Sequence, residues 1–364
     1  MKTVVASPLL SVAINPVPSR AAVPREEIPA QQAKLRERRA PDIAVTQTEE
    51  GQSVAYDAFT WQRRELAKRL PLDEPWPAEK DIEATLARFD LDKPPVSEVL
   101  PAPSRVAPDV YLVASKTNHA YLIDAGPAGL VLVDPGPETN VEVILANVES
   151  LGFARTDIKW VINTHAHFDH SMADAQFQRL GAKILVGEAD VGAVEKGTLV
   201  TAKYVLPPDE QKSYPTLEVD WPVDDGEELR LGDKTILAIA TPDHTDGSTC
   251  YVLQAGGRTV LFGGDTILFD YRLGAQGTPF ADNERYGASL KKLATLGLNP
   301  KSSIRWDILL PGHGTIVLNR AYLDVSKGMR QVQLDLSDGI PVNALPFGNL
   351  YYRQMMFGRP VAAR

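Results

Sequence analysis

One cysteine and five methionines in 364 residues leave this chain little sulfur chemistry. A lone Cys250 forbids any intrachain disulfide, and in the strand-like run 248–253 it reads as a small core residue rather than a nucleophile. Too few thiolates for a Cys-rich cluster also argues against a closed structural zinc site. No apolar run approaches the ~18 residues of a membrane span, so no membrane partner is expected. Positive charge is in deficit: 38 Lys and Arg against 47 Asp and Glu give a formal net charge of -9, which disfavours a nucleic-acid partner. Residues 1–23 contain Lys2 and a weakly apolar stretch, but Pro8, Asn15 and Pro16 interrupt it. A cytoplasmic location is therefore expected ahead of a secreted or periplasmic one.

Proline is not scarce, and its distribution divides the chain. Fourteen of the 28 prolines fall within residues 1–108, a segment with none of the metal-ligand motifs described below. Residues 1–107 read as a Pro-rich N-terminal arm with about two helices, over 56–70 and 78–91, packed on the catalytic domain or on a second copy in a homodimer. Residues 108–364 read as the catalytic domain with a C-terminal helical extension. Strands are expected at 110–114, 120–124, 130–134, 159–163 and 183–186, and helices at 139–151, 174–180 and 189–195. A second strand-rich half spans 227–266, with later helices at 284–296 and 319–335. Strands then helices, twice over, predict an α/β (α+β) architecture of two sheets packed face to face and covered by helices.

Five of the six histidines fall in three short motifs bounded by Gly or Pro. His165, His167, Asp169 and His170 form Thr-His-Ala-His-Phe-Asp-His, His244 lies in Thr-Pro-Asp-His-Thr-Asp-Gly-Ser, and His313 in Leu-Pro-Gly-His-Gly. Asp265, in Phe-Gly-Gly-Asp-Thr, completes seven candidate ligands. Imidazoles and carboxylates suit zinc and other divalent first-row ions such as iron or manganese. Residues two apart on a strand exit project to one side, so His165 and His167 can converge on one ion with His244. Asp169, His170 and His313 are assigned to a second ion, with Asp265 bridging. Two zinc ions per chain roughly 3.5–4 Å apart would generate a bridging hydroxide as nucleophile, with Asp169 handling a proton beside it.

Together with Val131-Leu-Val-Asp-Pro-Gly136, these segments resemble the motif set of the metallo-β-lactamase superfamily over residues 108–318. The resemblance implies an αββα four-layer sandwich and makes Asp134 a support for the ligands rather than a ligand. Asp243 stands where the family usually has Gly, a place where left-handed backbone tolerates Asp better than most residues.

Fold and ligands do not fix the substrate. Asp265 resembles the bridging carboxylate of the glyoxalase II-like, lactonase and phosphodiesterase branches, which implies hydrolysis of an ester, lactone or thioester in a small molecule. The segments 181–186, 189–191 and 195–197 are instead similar to the third subclass of metallo-β-lactamases, so β-lactam hydrolysis is the first alternative. Phosphodiester or phosphotriester hydrolysis and a mononuclear iron persulfide dioxygenase follow. The Cys-Gly-Arg segment of the dioxygenases is replaced here by 266–273, which lowers that reading and a glutathione-thioester one. Two long connections rich in aromatics suggest a substrate rim of Tyr204, Trp221, Phe269, Tyr271 and Phe280, with His119 near the cleft.

Overall fold

The computed structural model describes residue 40 and residues 43–48, 51–71, 74–197, 215–267 and 283–325, so most of the helix expected over 319–335 lies outside them. The strands form two sheets. One has seven strands in chain order: β3 (Ser104–Ala107), β4 (Val110–Ala114), β5 (Ala120–Asp124), β6 (Leu130–Val133), β7 (Ile158–Asn163), β8 (Lys183–Gly187) and β9 (Trp221–Val223). Its first four strands are antiparallel, and β6 to β9 run parallel. The other sheet contains β1 (Thr46–Gln47), β2 (Ser53–Ala55), β10 (Glu228–Leu231), β11 (Lys234–Ala240), β12 (Thr249–Ala255), β13 (Arg258–Gly264), β14 (Ile308–Pro311) and β15 (Ile316–Val317). Its order is β1-β2-β15-β14-β13-β12-β11-β10, with only β13 and β14 parallel.

Period-two alternation decides what each strand face covers. In β12, Tyr251 and Leu253 point into the core between the sheets, while Cys250 and Val252 point to the outer layer. In β6, Val131 and Val133 point inward, and Leu130 and Leu132 outward. Each sheet thus needs an outer cover. Helices α3 (Val141–Ser150), through Ile144, Leu145 and Val148, and α5 (Asp174–Arg179), through Phe177, cover the seven-stranded sheet. Helices α1 (Ala58–Arg69), α2 (Ile82–Arg88) and α7 (Asn283–Gly297) cover the eight-stranded one. The result is the expected four-layer αββα sandwich. The short helices α4 (Phe168–Ser171) and α6 (Val191–Glu195) sit beside the strand ends that matter below.

The segment that sequence set apart as an arm is woven into this core. Its two helices are present, shorter than the apolar periodicity suggests, and its strand β2 pairs with β15 near the other end of the described chain, Val54 opposite Val317. Asp57 caps α1 by accepting from the Thr60 amide at 2.8 Å. Val54, Tyr56, Trp61, Leu66, Leu70, Ile82, Leu86 and Leu91 are all buried in the outer core. Eight such side chains contribute on the order of 10–20 kcal/mol of gross burial, comparable with the ~5–15 kcal/mol net stability of a whole domain.

Deleting everything before Pro108 would bare that outer face and the edge of β15. The truncated chain is expected to aggregate or bind a hydrophobic dye strongly, and a soluble fragment with an unchanged Tm would show that the segment carries no folding energy.

Candidate metal centre

Every candidate ligand sits just past the end of a strand, and the strand ends of both sheets meet at one edge of the sandwich. His165 and His167 follow β7, His244 follows β11, Asp265 follows β13 and His313 follows β14. Asp169 and His170 belong to α4, which begins directly after His167. Two contacts join the sheets there: the Thr249 amide donates to Thr164 O at 2.8 Å and the Tyr251 hydroxyl to Asn163 O at 3.0 Å. The approach is close enough to demand glycine. A Cβ on Gly264, which has φ +48, would lie 2.4 Å from Thr164 Oγ1, and one on Gly312 would lie 2.4 Å from Asp265 Oδ1.

The donors converge in the groups expected. One ligand atom each from His165, His167 and His244 lie within 4.8 Å of one another, and the same holds for Asp169, His170 and His313. Asp265 stands between the groups: Oδ2 is 3.4 Å from His244 Nε2 and 3.5 Å from His313 Nε2, and Oδ1 is 3.6 Å from His170 Nε2. His313 Nε2 also lies 3.1 Å from Asp169 Oδ2 and 3.1 Å from His170 Nε2.

Asp134, expected to support the ligands, is hydrogen-bonded to one of them, His170, and its carboxylate also lies within 4.8 Å of a His165 and a His170 nitrogen. Its Oδ1 accepts from the Thr164 amide at 2.7 Å, and its Oδ2 from Thr164 Oγ1 at 2.6 Å and from His170 Nδ1 at 3.0 Å. The last bond leaves His170 Nε2 to face the ligand group. Thr164 Oγ1, having donated to Asp134, accepts from His165 Nδ1 at 3.0 Å, which turns His165 Nε2 inward in the same way. Asp134 holds φ 49, and Asn118 supports it by donating from Nδ2 to its carbonyl at 2.9 Å.

A second brace escaped the sequence reading. Asp190, buried just before α6, accepts from the Ala166 amide at 2.9 Å, the Gly247 amide at 2.8 Å and Thr245 Oγ1 at 2.5 Å. It ties the His165–His167 loop to the loop that carries His244. The only signal in the sequence is an acidic residue at the head of a short apolar helix, and Gly247, where a Cβ would sit 2.4 Å from the Asp190 amide.

The remaining pocket residues fare differently. Trp221 is not on the rim: it packs against the core between the sheets and donates its indole N–H to Glu227 Oε1 at 2.9 Å, so it anchors the edge strand β9. His119 is buried behind the His313 loop, not at the cleft mouth, with its amide donating to Gly312 O at 2.7 Å. Tyr204, Phe269, Tyr271 and Phe280 lie outside the described residues. Asp243 has φ 138 and is fully buried, well past the left-handed helical value of ~57° expected for it. At such a φ Asp has no special advantage, and the conformation costs about 1–3 kcal/mol that the turn Thr241–Ser248, closed by the Thr241 amide on Ser248 O at 2.7 Å, must offset.

The electrostatics fit a cation. Three carboxylates, Asp134, Asp169 and Asp265, face imidazoles, and among the described residues no Lys or Arg pairs with any of them. His165 Nε2 and His167 Nε2 are buried without a hydrogen-bond partner, which a coordinated metal ion would satisfy. Burial, reinforced by neighbouring imidazoles, pushes both rings well below the ordinary histidine value, which keeps their lone pairs available. Burial would lower His170 as well, but the Asp169, Asp265 and Asp134 carboxylates outweigh it and raise the ring to about 10. His313 is raised against its burial by Asp265 and Asp169. In turn burial would raise Asp265, but His313, His170 and His244 hold it well below the usual carboxylate range. A proton on His170 does in part what a divalent ion would do fully, which is to neutralise buried carboxylates.

Comparison with known proteins is consistent with this geometry. A family model described as the metallo-beta-lactamase superfamily matches residues 113–299. A probable metallo-hydrolase of Methanocaldococcus jannaschii is 30% identical over 206 residues, 55% of this chain and 89% of that protein. A hydroxyacylglutathione hydrolase of Maricaulis maris is 30% identical over 183 residues, 49% of this chain and 58% of its own length. An atrochrysone carboxyl ACP thioesterase of Aspergillus fumigatus is 26% identical over 203 residues, 56% of this chain and 52% of its own. Among solved structures, a subclass B3 metallo-β-lactamase with an active-site glutamic acid superposes with a TM-score of 0.54 at 23% identity, covering 74% of this chain and 98% of that one, a likeness of fold.

The raised His170 sets the pH dependence of metal binding. Below about 10 the metal-free ring carries a proton on Nε2 that a metal must displace, so affinity is expected to rise with pH toward that value and then level off. Calorimetric titration with zinc at pH 7–8 in buffers of different ionisation enthalpy should report about one proton or more released per chain; no release would remove His170 Nε2 from the ligand set.

Proposed function

The chain belongs to the metallo-β-lactamase superfamily, and from that premise we propose that it is a dinuclear zinc hydrolase cleaving an ester, lactone or thioester bond of a small organic substrate. The observation that carries this reading is Asp265, one carboxylate within 3.4–3.6 Å of histidines from both ligand groups. In such a position it can hold two ions at once, which a set of two separate three-ligand groups would not ensure.

Two bound divalent ions would supply Lewis acidity toward the scissile carbonyl and lower the pKa of water toward ~7. What the chain itself does can be read from exposure. Asp169 and His313 keep 20% and 21% of their side-chain surface exposed, whereas His165, His167 and His170 are buried. The substrate therefore meets the site over the Asp169–His313 face. Burial would raise Asp169, but His170 and His313 hold it well below the ordinary carboxylate range. As a carboxylate it can accept a hydrogen bond from a hydroxyl brought into the site.

Among carbonyl substrates, relatives named as a hydroxyacylglutathione hydrolase and an ACP thioesterase support an acyl thioester ahead of a lactone. A β-lactam is placed lower because Asp265 occupies the space beside the second ligand group where a substrate carboxylate would have to approach.

His167→Ala and Asp265→Ala are each expected to lower kcat/KM by more than the roughly 10–100-fold that loss of a supporting residue costs, with Tm little changed. An Asp265→Ala enzyme of near wild-type activity would overturn the bridging role. In a panel of acyl thioesters, lactones, phosphodiesters and β-lactams, turnover should be greatest with a thioester or ester; turnover confined to β-lactams would replace the reading. Elemental analysis should find about two zinc ions per chain, and a single iron would point to oxygen chemistry instead.

A further inference from the structure

We infer that Asp57, His119 and Tyr121 form a strut through which the N-terminal segment holds the 311–314 turn, and with it the His313 imidazole, in ligating position. The inference rests on the reading above in one respect, that His313 is a ligand.

The geometry begins at the two carbonyls that precede His313. Tyr121 donates its hydroxyl to Pro311 O at 2.7 Å, and the His119 amide donates to Gly312 O at 2.7 Å. Consecutive carbonyls of the turn are thus both held from one side, by residues two apart on the entry to β5. From the other side the Gly312 amide donates to Gly264 O at 2.7 Å, which fixes the turn to the residue before Asp265. A turn held at three successive points fixes the backbone from which the His313 imidazole projects.

Tyr121 has one proton, and Pro311 takes it. Its oxygen therefore accepts from His119 Nδ1, 3.0 Å away, and the two rings stand edge to face at 86°. The other ring nitrogen, His119 Nε2, lies 3.7 Å from Asp57 Oδ2, an ion-pair separation with no hydrogen bond between them. Both partners are buried, His119 at 1% exposed and Asp57 at 7%. Burial would raise the Asp57 carboxyl, but the His119 ring and the Thr60 amide outweigh it and hold it at about 2. Asp57 Oδ1 is already committed to Thr60 as the cap of α1, so the carboxylate can reach His119 only while α1 is docked. Sixty residues of sequence separate Asp57 from the ring it orients, and nearly two hundred more separate that ring from the turn it holds.

Three variants test the strut. Asp57→Ser keeps a residue able to cap α1 but too short to reach His119; Tyr121→Phe removes the donor to Pro311 O; Asp57→Asn keeps both cap and reach without the charge. Hydrogen exchange in the metal-free protein is the first readout. Asp57→Ser and Tyr121→Phe should speed exchange at amides 312–314 selectively, β6 and β7 remaining as in wild type, with Asp57→Asn intermediate. The second readout is zinc retained per chain during dialysis against graded zinc buffers. The weaker of two bound ions should lose about tenfold or more in affinity and the tighter one little. Unchanged exchange and zinc retention in Asp57→Ser and Tyr121→Phe would overturn the strut, and so would an equal loss of both ions with faster exchange throughout. Selectively faster exchange at 312–314 in the two variants, with no zinc retained even by the wild type, would leave the strut standing and bring down the dinuclear reading instead.

Discussion

The rest of the site depends on the three hydrogen bonds accepted by the buried Asp134 carboxylate. They join the end of β6 to the end of β7 and to the helix that carries His170, and through Thr164 they set which nitrogen of His165 faces inward. Charge-assisted bonds of this kind are worth about 1.5–3 kcal/mol each, so the carboxylate recovers its desolvation while fixing two imidazoles in one orientation. A ligand sphere made of flexible side chains would lose that orientation to rotamer entropy. Asp190 repeats the device on the other loop pair, taking its donors mainly from backbone amides.

Much of this was legible in the sequence because ligand motifs and strand ends are both local signals. Five strands of the seven-stranded sheet were readable from β-branched runs closed by Gly or Pro, and α3, α5 and α7 from apolar spacing. The two three-ligand groups and the intermediate place of Asp265 followed from motif order. What escaped was long-range. β1 and β2 are two and three residues long, too short for any alternation to register, and their identity as strands comes from pairing, β2 with β15 and β1 with β2. Asp190 and His119 were opaque because their partners lie on loops far away in sequence. Trp221 misled for a different reason: an aromatic in a Pro-rich stretch looks like a rim residue, and only the sheet edge beside it shows that it is an anchor.

The division of labour between the sheets follows from strand direction. Antiparallel hairpins place neighbouring strand ends at opposite edges, so they cannot gather many ligands in one place. The parallel run β6 to β8 and the parallel pair β13–β14 do gather them, since successive strands exit at the same edge. Asp134, the His165–His170 cluster and Asp190 come from the first run, Asp265 and His313 from the second. The antiparallel remainder is scaffold apart from β11, whose end delivers His244 to the same edge.

The pairing of β2 with β15 has a consequence for how the protein is made. On a ribosome adding ~5–20 residues per second, residue 54 waits roughly ten seconds or more before its partner at 317 exists. During that interval α1 and α2 carry apolar faces with nothing to cover, and the outer core they belong to cannot close. High contact order of this sort slows folding and lengthens exposure. Among the described residues β15 is the last strand, so the outer core can close only once nearly all of them have been made.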